Sequence, residues 1–153
     1  MFGKREAQAL RTEFWIQFGK IMAHQVSESG ESVNWINYNT HVKGVRFRVE
    51  IEGGNILTSI DIDYADLSIQ ELHWDQFEET LGILKGFWGD FEWNRKVEGI
   101  HKHPIGRAWK QCTLGHIYDK TTWPDMFAYL KSEYLAFDAY WVMVYDVFEE
   151  LRG

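Results

Sequence analysis

Val45-Arg46-Phe47-Arg48-Val49-Glu50-Ile51-Glu52-Gly53-Gly54-Asn55-Ile56-Leu57-Thr58-Ser59-Ile60-Asp61-Ile62-Asp63-Tyr64 has the pattern of two alternating strands joined by a glycine pair. Val45, Phe47, Val49 and Ile51 alternate with Arg46, Arg48 and Glu50, the period-two pattern of a half-buried strand. Gly53-Gly54 supplies the positive φ angles of a tight hairpin. On the return strand Ile56, Thr58, Ile60, Ile62 and Tyr64 share one face, and Ser59, Asp61 and Asp63 the other. Turning about the glycines pairs Glu52 with Asn55 and Ile51 with Ile56. The same register sets Phe47 opposite Ile60 and Arg46 opposite Asp61. Apolar meets apolar and Arg meets Asp, so the hairpin is self-consistent.

Outward from the hairpin, Val33–Asn39 alternates loosely and is expected to add a strand before it. Ala7, Leu10, Phe14, Phe18 and Ile21 recur at spacings of three and four, predicting a helix over residues 4–24. Gln25 to Ser32 reads as a polar loop. Beyond the hairpin, Ser68-Ile69-Gln70-Glu71 has the pattern of a capping box and opens a helix to about Lys85. Its apolar face is Ile69, Leu72, Phe77, Leu81 and Leu84, and Gly86 is the expected stop. Strands are expected near Phe91–Val97 and, after Pro104, near Gly106–Leu114. Thr122-Trp123-Pro124-Asp125 starts a long helix, with Thr as cap and Pro in the first turn. Its stripe of Phe127, Leu130, Tyr134, Phe137, Trp141, Val144 and Phe148 needs a broad surface to bury it, and the sheet is the one available. The expected class is α+β: an antiparallel sheet of about five strands with an N-terminal helix, a middle helix and a long C-terminal helix packed against it.

The 153 residues are expected to form one globular domain, residues 1–153. Aromatics are 16% and hydrophobics 45%, enough to fill a core and exclude disorder. A single Cys excludes a disulfide framework and a Cys-based zinc site. No apolar run approaches the ~20 residues of a membrane span. The opening Met1–Glu6 lacks the apolar stretch of a signal peptide, so a cytoplasmic location and no membrane partner are expected. The formal charge of −7 argues against nucleic acid as a partner of the isolated chain, though not against a local basic patch.

Several motifs carry a resemblance. They are Arg11-x-x-Phe14-Trp15-x-x-Phe18-Gly19, Trp35-Ile36-Asn37-Tyr38-Asn39-Thr40, Trp93, and Ile117-Tyr118 ahead of Trp123-Pro124 with Leu135 to Trp141. In order and spacing they resemble the bacterial domain-of-unknown-function family 4268, and more closely its short stand-alone form of Bacteroidetes-type bacteria. The resemblance implies no activity to carry over. Related domains that follow nuclease-like or defence-associated domains imply at most an accessory role near nucleic-acid metabolism. One departure is visible: relatives often have Gly after the Asn-Tyr-x-Thr motif, where this chain has His41. If that position needs positive φ, His41 carries a steric penalty.

Candidate chemistry is sparse. A restriction-endonuclease-like core would need an acid on one strand and acid-x-Lys on the next to hold Mg²⁺. Glu50 and Asp61-Ile62-Asp63 are the nearest acids, and Asp63 stands where Lys is required. His101 and His103 could face one side of an extended segment, but two ligands are not a metal site and no third is marked by spacing. Cys112 reads as packing. Asp138 lies beside the aromatic stripe and is expected to hydrogen-bond a Tyr or Trp. Trp35, Tyr38, Arg46 and Arg48 form the candidate surface cluster, because Trp, Tyr and Arg anchor interfaces. No cofactor is expected.

The leading expectation is therefore a non-enzymatic module whose sheet or edge strand binds another protein or itself. An accessory or degenerate nuclease-like domain is the alternative, and would require Lys43, Arg46 and Arg48, with Lys96 as an optional fourth member, to form one basic face. A small-molecule binder with an aromatic-lined cavity is the third.

Overall fold

A computed structural model describes residues 3–152; Met1 and Phe2 of the opening segment, and Gly153, lie outside them. Helix α1 (Lys4–Met22) buries Phe14, Phe18 and Met22. Strands β1 (Val45–Glu52) and β2 (Asn55–Ile62) follow a long connection. Helices α2 (Leu67–Glu79) and α3 (Leu81–Trp88) lead to β3 (Glu92–Val97) and β4 (Ile105–Thr113). Helix α4 (Trp123–Glu149) closes the fold.

The sheet has four strands among the described residues, in the order β1-β2-β4-β3, and every neighbouring pair is antiparallel. The hairpin register is the expected one, with Glu52 opposite Asn55 and Phe47 opposite Ile60. Of the two turn glycines only Gly53 has positive φ, at 61°, the pattern of a type II′ turn. Gly54 is required for another reason: a Cβ there would stand 2.3 Å from the Gly115 carbonyl oxygen.

The expected fifth strand, Val33–Asn39, does not form. Its asparagines divert the backbone. Asn34 Oδ1 accepts from the Asn37 amide at 3.2 Å, and Asn39 Oδ1 accepts from the His41 amide at 2.8 Å. Such local bonds compete directly with a strand ladder. The segment therefore passes β1 without pairing to it, leaving β1 as a sheet edge.

The middle helix is broken at Thr80, whose hydroxyl donates to the Phe77 carbonyl and lies 2.8 Å from the Tyr140 hydroxyl. The break turns Leu84 and Trp88 inward and leaves Ile69 and Leu72, both expected in the core, exposed. Asp66, not Ser68, caps α2, accepting from the Ser68 and Ile69 amides. The helical run passes Gly86 and ends at Gly89, where φ is 79°.

The α4 stripe is buried from Phe127 to Phe148 as expected. One end packs with α1 and Ile56, the other with α2, α3, Ile60, Ile62 and Ala108. All the helices' core contacts fall on the sheet face carrying Phe47, Ile60 and Ala108. On the opposite face, Arg46, Arg48, Glu50, Leu57, Ser59, Asp61, Arg107 and Trp109 belong to neither core cluster.

His41 has a φ of 61°, the single positive-φ residue other than glycine among the described residues. A Cβ in that region costs about 1–2 kcal/mol, partly offset by glycine's greater unfolded-state entropy of about 0.5–1 kcal/mol. His41→Gly is expected to stabilise the fold by about 0.5–1 kcal/mol, a rise of roughly 2–4 °C at most in thermal midpoint. A melting curve at or below that of the wild type would contradict this reading of the turn.

Candidate interaction site beside strand β1

The backbone of β1 alternates in the direction of its hydrogen bonds. The Asp63 amide donates to the Gly44 carbonyl at 2.7 Å, which makes Gly44 and Asp63 a hydrogen-bonded pair. Bonded pairs recur every second residue in an antiparallel ladder. The amides and carbonyls of Arg46, Arg48, Glu50 and Glu52 therefore point to β2. Those of Val45, Phe47, Val49 and Ile51 point away from the sheet.

Val45 is satisfied locally. Its amide donates to the Val42 carbonyl at 3.0 Å, and its carbonyl accepts from Thr40 Oγ1 at 2.6 Å. Phe47, Val49 and Ile51 have no such partner among the described residues. Five residues of β1, Phe47 to Ile51, thus form an open edge about 17 Å long.

A groove follows this edge. Its larger part, about 1240 Å³, lies between residues 36–43, β1, Tyr64 and α2. A smaller part, about 360 Å³, continues along Phe47–Glu50 and is walled by Trp15, Ile36, Asn37 and Tyr134. The two parts share Ile36, Asn37, Phe47 and Arg48.

The wall at residues 36–39 is tied to α4 through Asp138, which is 1% exposed. Its Oδ1 accepts from Tyr38 Oη at 2.5 Å and from Ser27 Oγ at 2.7 Å, and its Oδ2 accepts from the Glu28 amide at 2.8 Å. The Tyr38 phenol is held well above its ordinary pKa, first by burial and then by its hydrogen bond to the Asp138 carboxylate and that carboxylate's charge. The phenol thus remains a donor that pins the loop to the helix. Asp138 has the Tyr partner expected of it.

The candidate surface cluster is divided. Tyr38, Arg46 and Arg48 line the groove. Trp35 does not: it is 4% exposed, packs in the core beside Phe14 and Phe18, and donates from Nε1 to the Gln25 carbonyl. As part of a surface cluster, Trp35 is corrected to a core residue.

The nuclease-like acids are all engaged by cations. Asp61 was expected to serve Arg46, but a nearer partner stands opposite it on β4. Arg107 binds the Asp61 carboxylate at both oxygens, Nε to Oδ1 at 2.8 Å and Nη2 to Oδ2 at 2.9 Å. That bidentate bond and the negative charge of Asp61 hold the guanidinium above its ordinary pKa. Arg48 approaches the same Asp61 at 4.0 Å and Glu50 at 3.5 Å. Arg46 instead reaches Asp63, at 3.9 Å.

His101 and His103 converge as the spacing suggested, and both spend Nε2 on Asp63, at 3.2 and 2.6 Å. With Arg46 beside the same carboxylate, two imidazoles and a guanidinium share Asp63. No group of three His, Cys, Asp or Glu side chains among the described residues is arranged to hold a metal ion. Lys96 lies on β3, at the far edge of the sheet from Lys43, Arg46 and Arg48.

Glu133 was not legible as a key residue. It is 4% exposed on α4, and Oε1 accepts from Thr58, Trp88 and Tyr129 while Oε2 binds Lys110 at 2.9 Å. Its one signal in sequence is a charge immediately beside Tyr134 of the buried stripe.

The fold and its groove define an antiparallel α+β domain that presents an unpaired sheet edge. Residues 10–144 match the model of the family described as domain of unknown function (DUF4268), and the chain belongs to that family. No curated protein and no solved structure matches the chain. No helix among the described residues is long and apolar enough to cross a membrane.

Proposed function

We propose that this chain is a non-enzymatic interaction module, and that it binds an extended segment of another protein chain along the edge of β1. The observation that carries the reading is the row of unpartnered amides and carbonyls at Phe47, Val49 and Ile51, lying in a groove with solid walls. An added strand satisfies those groups, and the groove walls select its side chains. The alternative nuclease-like reading is less well supported, because Glu50, Asp61 and Asp63 are each occupied by Arg or His. The cationic side chains near them are correspondingly neutralised. A small-molecule reading is less well supported, because the larger groove is open to solvent.

Val49→Pro tests the proposal. The Val49 amide points outward, so proline there removes a docking donor without breaking the β1–β2 ladder. The variant is expected to keep the wild-type circular dichroism spectrum and to melt within a few degrees of it. It is also expected to lose a partner segment that the wild type binds, and in the wild-type complex the Phe47, Val49 and Ile51 amides gain exchange protection. Binding that survives in a folded Val49→Pro variant, with those amides unprotected, would sink the proposal.

A further inference from the structure

We infer that the strand which completes this edge is β1 of a second copy, paired antiparallel about Val49. The inference rests on the edge-docking reading above and names its partner. The argument lies in the sequence of the open segment, Arg46-Phe47-Arg48-Val49-Glu50-Ile51-Glu52, which is complementary to itself when reversed.

With Val49 opposite Val49 of the second copy, Phe47 stands opposite Ile51, Arg48 opposite Glu50 and Arg46 opposite Glu52. Directly opposed residues in an antiparallel pair lie on the same face. Each copy then offers two Arg to two Glu on the outer face and three apolar side chains, Phe47, Val49 and Ile51, to the same three on the inner one. The hydrogen-bond parity agrees independently. The groups free to bond are those of Phe47, Val49 and Ile51, and this register pairs them with one another and with nothing else.

The length agrees as well. Residues 40–42 cover the edge at Val45, and the Gly53-Gly54 turn ends the strand on the other side, so the open stretch is centred on Val49. Shifting the pairing by two residues in either direction puts Arg or Glu opposite its own kind. Beside the edge, Trp15 and Ile36 line both the groove and a neighbouring depression that holds Ile16, which is 54% exposed. The product is a continuous eight-stranded sheet with all helices on one side, closed by a twofold axis.

The test is the solution mass of full-length protein, by light scattering across a concentration series, with charge-reversal variants. Wild type is expected at twice its 18.1 kDa chain mass. Arg48→Glu places Glu opposite Glu, and Glu50→Arg places Arg opposite Arg, twice in each homodimer. Each is expected to weaken self-association at least about tenfold. An equimolar mixture of the two restores opposite charges at both positions and is expected to return to the dimer mass. Formation of that mixed dimer also shows that both variants are folded. If Arg48→Glu unfolds through its proximity to Asp61, the pair Arg46→Glu and Glu52→Arg gives the same mixing experiment.

A wild type that stays at the single-chain mass overturns self-pairing. It leaves the edge-docking reading standing if Val49→Pro abolishes binding of a different segment. A dimer insensitive to Val49→Pro, or a mixture that remains monomeric, also overturns it, by placing the contact elsewhere or in another register.

Discussion

Glu133→Ala is expected to cost about 3–5 kcal/mol of folding stability, the range for stripping one partner from a buried charge pair. The Glu133 carboxylate lies at the meeting point of β2, β4, α3 and α4. It accepts from Thr58 Oγ1 at 2.9 Å, Trp88 Nε1 at 3.1 Å and Tyr129 Oη at 3.1 Å, and it binds Lys110 Nζ at 2.9 Å. Lys110 cannot simply turn away. Its ammonium also donates to the Trp88 carbonyl at 2.8 Å and stands 5.1 Å from the centre of the Trp88 ring. Alanine leaves that ammonium without its counter-ion, and two buried donors, Thr58 and Trp88, and the half-buried Tyr129 without this acceptor. Glu133→Gln keeps an acceptor but not the charge, and is expected to fall between alanine and the wild type. Urea unfolding followed by tryptophan fluorescence measures all three. A loss below about 1 kcal/mol for the alanine variant would show that water replaces the carboxylate freely, contrary to its burial.

Asp138→Ala is expected to cost about 2–4 kcal/mol, because three donors lose a buried acceptor at about 1 kcal/mol or somewhat more each. The damage is localised differently. Ser27, Glu28 and Tyr38 all belong to the connection between α1 and β1, so the variant frees that connection from α4 while the sheet and its helices stay packed. Limited proteolysis is expected to cut between residues 23 and 40 in the variant, at protease levels that leave the wild type intact. Because residues 36–39 wall the groove, docking on β1 is expected to weaken with it. A variant that is destabilised yet no more sensitive to cleavage there would show that the loop is held by something other than Asp138. Tyr38→Phe removes one of the three donors and is expected to show the same cleavage pattern at lower intensity.

These two carboxylates show where sequence reading reaches its limit. Asp138 was legible because a short acid beside an aromatic stripe has few ways to be satisfied, and a Tyr or Trp partner follows from that. Which Tyr it takes, 100 residues away, depends on how the connection returns over α4. Glu133 was not legible, because one of its donors is Lys110 on a strand whose register against β2 no local pattern specifies. Arg107 was missed for the same reason. In the hairpin, Arg46 is the cross-strand neighbour of Asp61, but the second neighbour, on β4, has the better bidentate geometry. Trp35 was misplaced because an aromatic outside any periodic pattern carries no information on which way it faces.

The hairpin with its register and the aromatic face of the last helix are legible in the sequence alone; strain at His41 followed from it only on the condition that the turn needs positive φ, and the φ of 61° comes from the fold. The first two are local properties: alternation with period two about a glycine turn, and spacings of three and four. That Val33–Asn39 does not pair, that the middle helix breaks at Thr80, and that β1 is consequently an edge emerge with the tertiary fold. Those outcomes turn on competition between local side-chain bonds and distant partners, which no single segment contains. The self-complementary segment Arg46–Glu52 was present in the sequence throughout, but its alternation reads equally well in a central strand. It acquired meaning once the structure placed its free amides and carbonyls on the outside of the sheet.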